Sequence, residues 1–208
     1  AGAARTSHER GSIMAGKRHI DDISDYADEI VKAIPKGVLL TSKAGEKVNS
    51  MTIAWGTLGT NWGRPVFVAY VRKHRSTVTL LDENPEFTIN VPAIADAGAA
   101  AGASGENRAA RTREAARKAL GVCGSMRGDE VDKVVLAGLT LVDSDVVSVP
   151  GIAELPLTLE CKVVYRQEQE LALYPPEIQA SYYPQDVDGR ATGSNKDEHI
   201  MYFGEIVN

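Results

Sequence analysis

Residues 49–59 read Asn-Ser-Met-Thr-Ile-Ala-Trp-Gly-Thr-Leu-Gly. Val48 to Trp55 is a β-rich run with an unusual mixture of polar and apolar side chains. In a strand successive side chains face opposite ways, so Asn49, Met51, Ile53 and Trp55 share one face and Ser50, Thr52 and Ala54 the other. Small hydroxylated residues in such a strand leave room for a flat ring and can bond its edge. Gly56 and Gly59 then permit close backbone approach. The plainer alternative is a seam strand in which Thr serves β propensity.

Working outward, Val38–Thr41 is a second strand, joined to Val48–Trp55 through the turn Lys43-Ala44-Gly45-Glu46. Ahead of it, Asp21–Ile34 has an amphipathic helical stripe of Ile23, Tyr26, Ala27, Ile30, Val31 and Ile34, closed by Pro35 and Gly37. On the other side, Pro65–Val71 and Glu86–Val91 are strands, and Ser76–Glu83 between them is a short helix capped by Ser76 or Thr77. Leu155–Gln167 and Ile200–Val207 complete the strand set. Many strands and few helices predict an antiparallel sheet closed into a barrel, since closure removes exposed edges.

Three segments interrupt this plan. Ala93–Ala119 is rich in Ala, Gly and Arg; its first half reads as a flexible loop and its second half as a strong helix former, together a surface insertion at about 93–119. Its Arg108, Arg111, Arg113 and Arg117 read as a solvated face. Gly121–Gly128 reads as a glycine-punctuated turn leading into a helix over Asp129–Ala137 with Val131, Val134 and Val135 on one side. Tyr174–Asn195 reads as an exposed excursion. The organisation expected is a tail over 1–20 and a single domain over 21–208.

The chain is acidic, with a formal net charge of −5. That disfavours nucleic acid as a partner, which needs a broad basic surface. No apolar run is long enough for a membrane span and no secretory h-region is present, so a cytoplasmic protein with no membrane partner is expected. Cys123 and Cys161 lie in no Cys/His cluster; no metal is expected, and buried reduced thiols are the reading. Against the acidic background stands Val71-Arg-Lys-His-Arg-Ser-Thr77, where a strand ends and a helix begins. Helix-start amides, arginine forks and hydroxyls together suit a monophosphate. The alternative is a solvated turn with a capping hydroxyl.

The ordered set N-S-M-T-I-A-W-G-T-L-G (49–59), W-G-R-P-V-F (62–67), V-R-K-H-R-S-T (71–77) and N-P-E-F-T-I-N-V-P (84–92) resembles the flavin reductase-like, FMN-binding split-barrel family. The later pieces C-G-S (123–125), D-K (132–133), L-P-L-T-L-E-C-K (155–162) and Y-F-G-E-I-V (202–207) follow in order. Flavoredoxin-like members look most similar. The resemblance implies a mainly β fold, a six-stranded antiparallel Greek-key barrel with peripheral helices, assembled as a homodimer with FMN near the interface. It implies that Asn49, Ser50, Met51 and Thr52 line the isoalloxazine and that Trp55, Gly56 and Thr57 follow towards the ribityl chain. Arg72, Arg75, Ser76 and Thr77 would hold the phosphate, and Cys123, Gly124 and Ser125 would lie along the ligand. Lys133 and Phe203 would approach from near or across the interface. No catalytic residue is fixed; Lys133 and His199 are the candidates, His199 being equally readable as a surface residue. Trp62 reads as core, and His74 as exposed.

The function so implied is an FMN-dependent oxidoreductase, a flavin reductase taking hydride from NADH or NADPH as a transient substrate. The alternatives are a flavoredoxin-like electron carrier with a redox protein partner, and a non-redox ligand-binding barrel. A flavin-accepting monooxygenase is a further possible recipient of reduced flavin. No G-x-G-x-x-G follows a strand, so no separate dinucleotide-binding domain is expected.

Overall fold

The computed structural model describes residues 19, 22–92, 103–189 and 196–208, with the backbone for 103–112. The expected tail, apart from His19, and residues 93–102 of the Ala-rich stretch lie outside these residues; Ala103-Ser-Gly105, expected as the end of a loop, instead begin a helix.

The N-terminal amphipathic segment forms a 3₁₀ turn (Ile23–Tyr26), helix α1 (Ala27–Ala33) and a second 3₁₀ turn (Ile34–Lys36). Asp22 begins it by accepting from the Ser24 amide at 2.8 Å, and Gly37, at φ 108°, ends it. Ile30, Ala33 and Ile34 enter the core, whereas Val31, expected on the buried stripe, is 53% exposed.

Strands β1 (Val38–Ala44) and β2 (Lys47–Ile53) form the expected hairpin. A strand not read in the sequence, β3 (Gly56–Asn61), pairs with β4 (Arg64–Arg72) across a tight Trp62-Gly63 turn. Both turn residues have positive φ, 52° and 70°. That is the handedness a two-residue hairpin needs to follow the strand twist. At Gly56 a Cβ would lie 2.8 Å from the Phe67 ring, so the strand passes tightly over that side chain; Gly59 has open space instead.

Helix α2 (Ser76–Glu83) and strand β5 (Glu86–Val91) follow, then α3 (Ala103–Ser125), α4 (Lys133–Ala137), a small ribbon of β6 (Leu141–Val142) and β7 (Gly151–Ile152), β8 (Leu157–Glu168), α5 (Pro176–Tyr182) and β9 (His199–Ile206). The main sheet is antiparallel with strand order β2-β1-β5-β8-β9-β4-β3. It curls until β2 approaches β4 without a hydrogen-bonded ladder between them. The result is a split barrel, mainly β as expected, with β3 added at one edge. Its interior is apolar, built on Leu40, Phe67, Phe87, Ile89, Leu159 and Tyr202.

The Ala/Arg-rich stretch is not wholly a surface insertion. The end of α3 packs Ala116, Ala119 and Cys123 onto Leu39, Ile152 and Leu155 in a second apolar cluster. The helix also runs on through Gly121–Ser125, where a turn was expected. Helix α4 starts later than expected, at Lys133, because Asp132 caps it by accepting from the Val135 amide at 3.0 Å. Its valine face is not buried: Val135 is 75% exposed, and the buried residues are Lys133 and Ala137.

Loop 143–150 is fastened by Glu160, which accepts from the amides of Asp145, Val146 and Val147 at 2.9, 2.7 and 3.0 Å and from Asn208 Nδ2 at 2.8 Å. Buried carboxylates are tolerated when hydrogen-bonded in this way. Burial alone raises such a carboxyl; here the bonds outweigh it and its pKa is lowered.

Candidate functional site

Strand β2, the start of α2, the end of α3 and the loop 126–129 line a cleft. It brings together Asn49, Met51, Thr52, Arg75, Ser76, Thr77, Cys123, Gly124 and Lys133, all singled out from the sequence, with Met126, Arg127, Gly128 and Asp129, which were not.

The walls are tied to one another by polar contacts. Asn49 Nδ2 donates to Thr77 Oγ1 at 3.0 Å, fixing β2 to the first turn of α2. Thr52 Oγ1 donates to the Leu120 carbonyl at 2.7 Å, fixing β2 to α3. The loop comes so close that a Cβ on Gly128 would lie 2.2 Å from Asn49 Oδ1 and 3.1 Å from Ser76 Oγ. Only glycine permits that approach. Gly124 faces Thr52 across the cleft at ordinary contact distance, 3.4 Å for a built Cβ.

Positive charge concentrates at one end. Arg75 is the N-cap residue of α2, in extended conformation, and no side chain caps the helix. The amides of that first turn therefore have no side-chain acceptor, and negative charge is favoured at the helix start. Arg127 is engaged by Asp129, at 3.2 Å from Nε and 2.9 Å from Nη2, and by Glu130 at 3.4 Å. Among the described residues no carboxylate lies within ion-pair distance of Arg75 or Lys133. Burial, then the Arg127 charge, pulls the Arg75 guanidinium below its usual value. Burial, with the Arg75 charge adding to it, pulls the Lys133 ammonium down to about 8. Its Nζ donates to the Cys123 carbonyl at 3.4 Å. The Cys123 thiol is pushed up to about 11 by burial, which leaves it a packing group rather than a nucleophile. Cys161 is fully enclosed by the barrel and likewise raised by burial.

Other expected residues fall elsewhere. Ser50 is fully buried on the α3 side of the sheet, the face it shares with Thr52, and has a 2.8 Å hydrogen bond with Thr41. Ser125 donates to the Gly121 carbonyl at 2.8 Å on the exposed side of α3. Trp55, Gly56 and Thr57 line a second, open groove with Tyr70, Tyr182 and Tyr183. Arg72 is buried, pairs in register with His199, and has an Nη1 without a hydrogen-bond partner. His199 is not a surface residue: it is 6% exposed, lies 4.6 Å from the Trp55 ring and 3.4 Å from the Tyr183 hydroxyl. Burial, then the Arg75 charge, lowers its pKa to about 4, so the ring is neutral at pH 7. Phe203 points to the outer face of the sheet, 5.2 Å from Tyr165 and 6.5 Å from Trp62. Trp62, expected in the core, is 60% exposed there. His74 is exposed, as expected, and meets Asp197 at 2.8 Å.

The loop residues of the cleft carried one signal in the sequence: Met126, Arg127 and Gly128 follow directly on C-G-S. Tyr183 carried none, since it sits in a stretch that reads as exposed. Among the described residues no cluster of His, Cys, Asp or Glu could hold a metal, and no helix is long and apolar enough to cross a membrane.

Residues 31–208 match the family model described as Flavin reductase like domain. Compared with curated proteins, the sequence has no match. Several solved structures share the fold at low identity. An FMN-binding domain of a flavin reductases-like enzyme from Shewanella baltica OS155 is 16% identical over 85% of this chain and 71% of that one, with TM-score 0.51. Nitrilotriacetate monooxygenase component B from Bacillus cereus is 15% identical over 100% of this chain and 81% of that one, with TM-score 0.54. Flavoredoxin of Desulfovibrio vulgaris (Miyazaki F) is 20% identical over 83% and 67%, with TM-score 0.51. With the family model spanning nearly all of the barrel and the cleft, the chain belongs to the flavin reductase like domain family.

Proposed function

We propose that this domain binds FMN in the β2–α2–α3 cleft and works as a flavin reductase, with NADH or NADPH as hydride donor. The observation that carries the reading is the unneutralised basic end of the cleft: the uncapped start of α2, flanked by Arg75, Ser76, Thr77 and Lys133, beside a strand wall of small and flat side chains. A buried phosphate dianion without counter-charge is costly, and this end supplies charge and donors together. FMN, when bound, supplies a ring that accepts two electrons and one proton.

The chain's residues have defined tasks in this scheme. Ser76 and Thr77, with the first amides of α2, bind the phosphate, and Arg75 neutralises it. Asn49 holds the Thr77 hydroxyl in place through the 3.0 Å bond. Met51, Thr52 and Gly124 form the wall that orients the ring; alignment contributes more to hydride transfer than acid or base chemistry does. Lys133 places a proton-bearing amine in the cleft, which favours negative charge on a reduced ring. Arg72, with a buried donor lacking an acceptor, adds positive potential three residues before Arg75, whose amide its carbonyl accepts at 3.0 Å.

The outer-face aromatics Trp62, Tyr165 and Phe203 support a homodimer, since exposed aromatic clusters of this kind are interface material.

Fluorescence titration with FMN and riboflavin tests the reading. Wild type binds FMN tightly, and Arg75→Ala with Thr77→Ala weakens FMN far more than riboflavin. Equal losses for the two ligands refute the phosphate assignment. Anaerobic bleaching of the bound flavin by NADH or NADPH then establishes reduction; a flavin that neither nicotinamide bleaches refutes the reductase reading in favour of an electron carrier.

A further inference from the structure

The open groove beyond the end of β2 lies between α1, the turn from β2 into β3, and α5, and none of the residues lining it is charged. That sets it apart from the cleft, whose lining carries Arg75, Arg127 and Lys133. A phosphate or pyrophosphate without counter-charge is costly to bury, so neither FMN nor a nicotinamide dinucleotide matches this lining. Its walls are aromatic. Trp55 stands 5.9 Å from Tyr182 at 73° and 6.1 Å from Tyr183 at 69°, and His199 lies 4.6 Å from its ring. A flat ring stacked on the indole would meet those tyrosines near a right angle, and both arrangements are favourable between π-systems. The free polar groups are donors. Gln169 Oε1 accepts from the Tyr183 hydroxyl at 3.3 Å, which leaves its Nε2 without an acceptor among the described residues. The hydroxyls of Tyr70 and Tyr182 make no hydrogen bond among those residues either.

We propose that this groove binds a quinone as the electron acceptor of the enzyme: a neutral flat ring, stacked on Trp55, whose carbonyl oxygens accept from the Gln169 amide and from a tyrosine hydroxyl. The acceptor role rests on the FMN reading of the cleft; the binding does not. The two sites are neighbours. Thr52 lines the cleft and Trp55 the groove, and three extended residues span at most about 11 Å. His199, against Trp55, also feels the charge of Arg75 in the cleft. The net reaction takes NADH or NADPH, one proton and the quinone to the oxidised nicotinamide and the hydroquinone. The nicotinamide loses a hydride, which is a pair of electrons and a proton. The quinone gains that pair and two protons, the second from the solvent at the open groove, and its C=O bonds become C–OH.

The test is equilibrium dialysis of the whole chain with duroquinone, whose fully methylated ring offers no open carbon to thiols, beside naphthalene and anthraquinone-2-sulfonate. Wild type binds duroquinone. Naphthalene, which lacks the carbonyls, and the sulfonate, which carries a charge, each bind about ten-fold more weakly. Gln169→Leu weakens duroquinone about five-fold, as loss of one hydrogen bond gives, and leaves naphthalene and FMN within about two-fold of wild type. Tyr182→Phe, at an exposed position where the fold does not depend on the hydroxyl, discriminates between duroquinone and naphthalene in the same direction. Equal affinities for duroquinone and naphthalene, or variants that leave both unchanged, overturn the donor assignment; a sulfonate that binds as well as duroquinone overturns the neutral site. In the FMN-loaded protein, Gln169→Leu raises KM for duroquinone about five-fold and leaves bleaching of the flavin by the nicotinamide unchanged. Duroquinone that binds but is not reduced, while the nicotinamide does bleach the flavin, overturns the acceptor role. If the protein binds no FMN, the cleft reading fails and the acceptor role with it, and dialysis still reads the groove by itself.

Discussion

Gly128→Ala is the most informative single change, because its cost is set by one contact. The added methyl would sit 2.2 Å from Asn49 Oδ1 and 2.7 Å from its Cγ. No positive φ is recorded at Gly128, so the penalty is steric, not conformational. Asn49 is 3% exposed and cannot swing into solvent. To admit the methyl it must give up its bond to Thr77, worth about 1 kcal/mol net for a buried pair. Repacking around an overfilled position adds about 1–3 kcal/mol. The expected loss is therefore about 3 kcal/mol, or roughly 6–12 °C in Tm for a chain of this size. Thermal unfolding followed by circular dichroism measures it, and FMN titration of the same variant shows a weakened phosphate end, because Thr77 loses its anchor. The decisive control is Asn49→Ala. In that background the methyl meets no amide, and Gly128→Ala costs at most about 1 kcal/mol, giving a large coupling energy in the double-mutant cycle. Additive effects, or a Gly128→Ala protein that melts like wild type, refute the packing argument for this wall of the cleft.

Glu160→Gln replaces an acceptor of four hydrogen bonds by a group that cannot accept as many, and is expected to cost about 2–3 kcal/mol by urea unfolding. Because the folded carboxyl lies below its ordinary value of 4.5, its stabilisation is present above that pH and is lost as pH falls below it; the variant's stability is flatter across that acid range. Lys133→Met removes a buried amine whose folded pKa, about 8, lies below the ordinary 10.5. Wild-type stability therefore rises with pH between those values, and the variant lacks that rise and melts higher without ligand. With FMN bound, the same variant has a lower flavin midpoint potential, measurable by dye-coupled spectroelectrochemistry; an unchanged potential refutes the placement of Lys133 beside the ring. Cys123 and Cys161, both buried and raised, resist iodoacetamide at pH 8 in the native protein and react in denaturant, as mass spectrometry reads directly.

Much of the barrel was legible because its strands carry β-branched runs bounded by turn residues, and α1 because its apolar spacing is helical. Strand β3 was not, since Gly56, Thr57, Gly59 and Thr60 offer no apolar alternation, and Gly56 is there to pass over Phe67. The glycines at 121 and 124 suggested a turn by local preference, yet Ala116, Ala119 and Cys123 fall on one helical face that Leu39 and Ile152 cover from far away in sequence. Tertiary burial overrides propensity there. The basic end of the cleft was readable because charge, hydroxyls and a helix start coincide in seven residues. Trp55 and His199 were harder to place: Tyr183 returns from an otherwise exposed stretch to bury the histidine, and no local pattern announces that.

Helices α3 and α4 lie against β2, one of the two terminal strands of the curled sheet. An outermost strand left bare offers its unpaired amides and carbonyls to any passing chain. The stretch from the end of α3 through α4 thus also serves as a guard rail. A shortened protein without it would lose a cleft wall and would be driven to stack edge to edge, so clumping, rather than simple loss of colour, would be the first symptom of its removal.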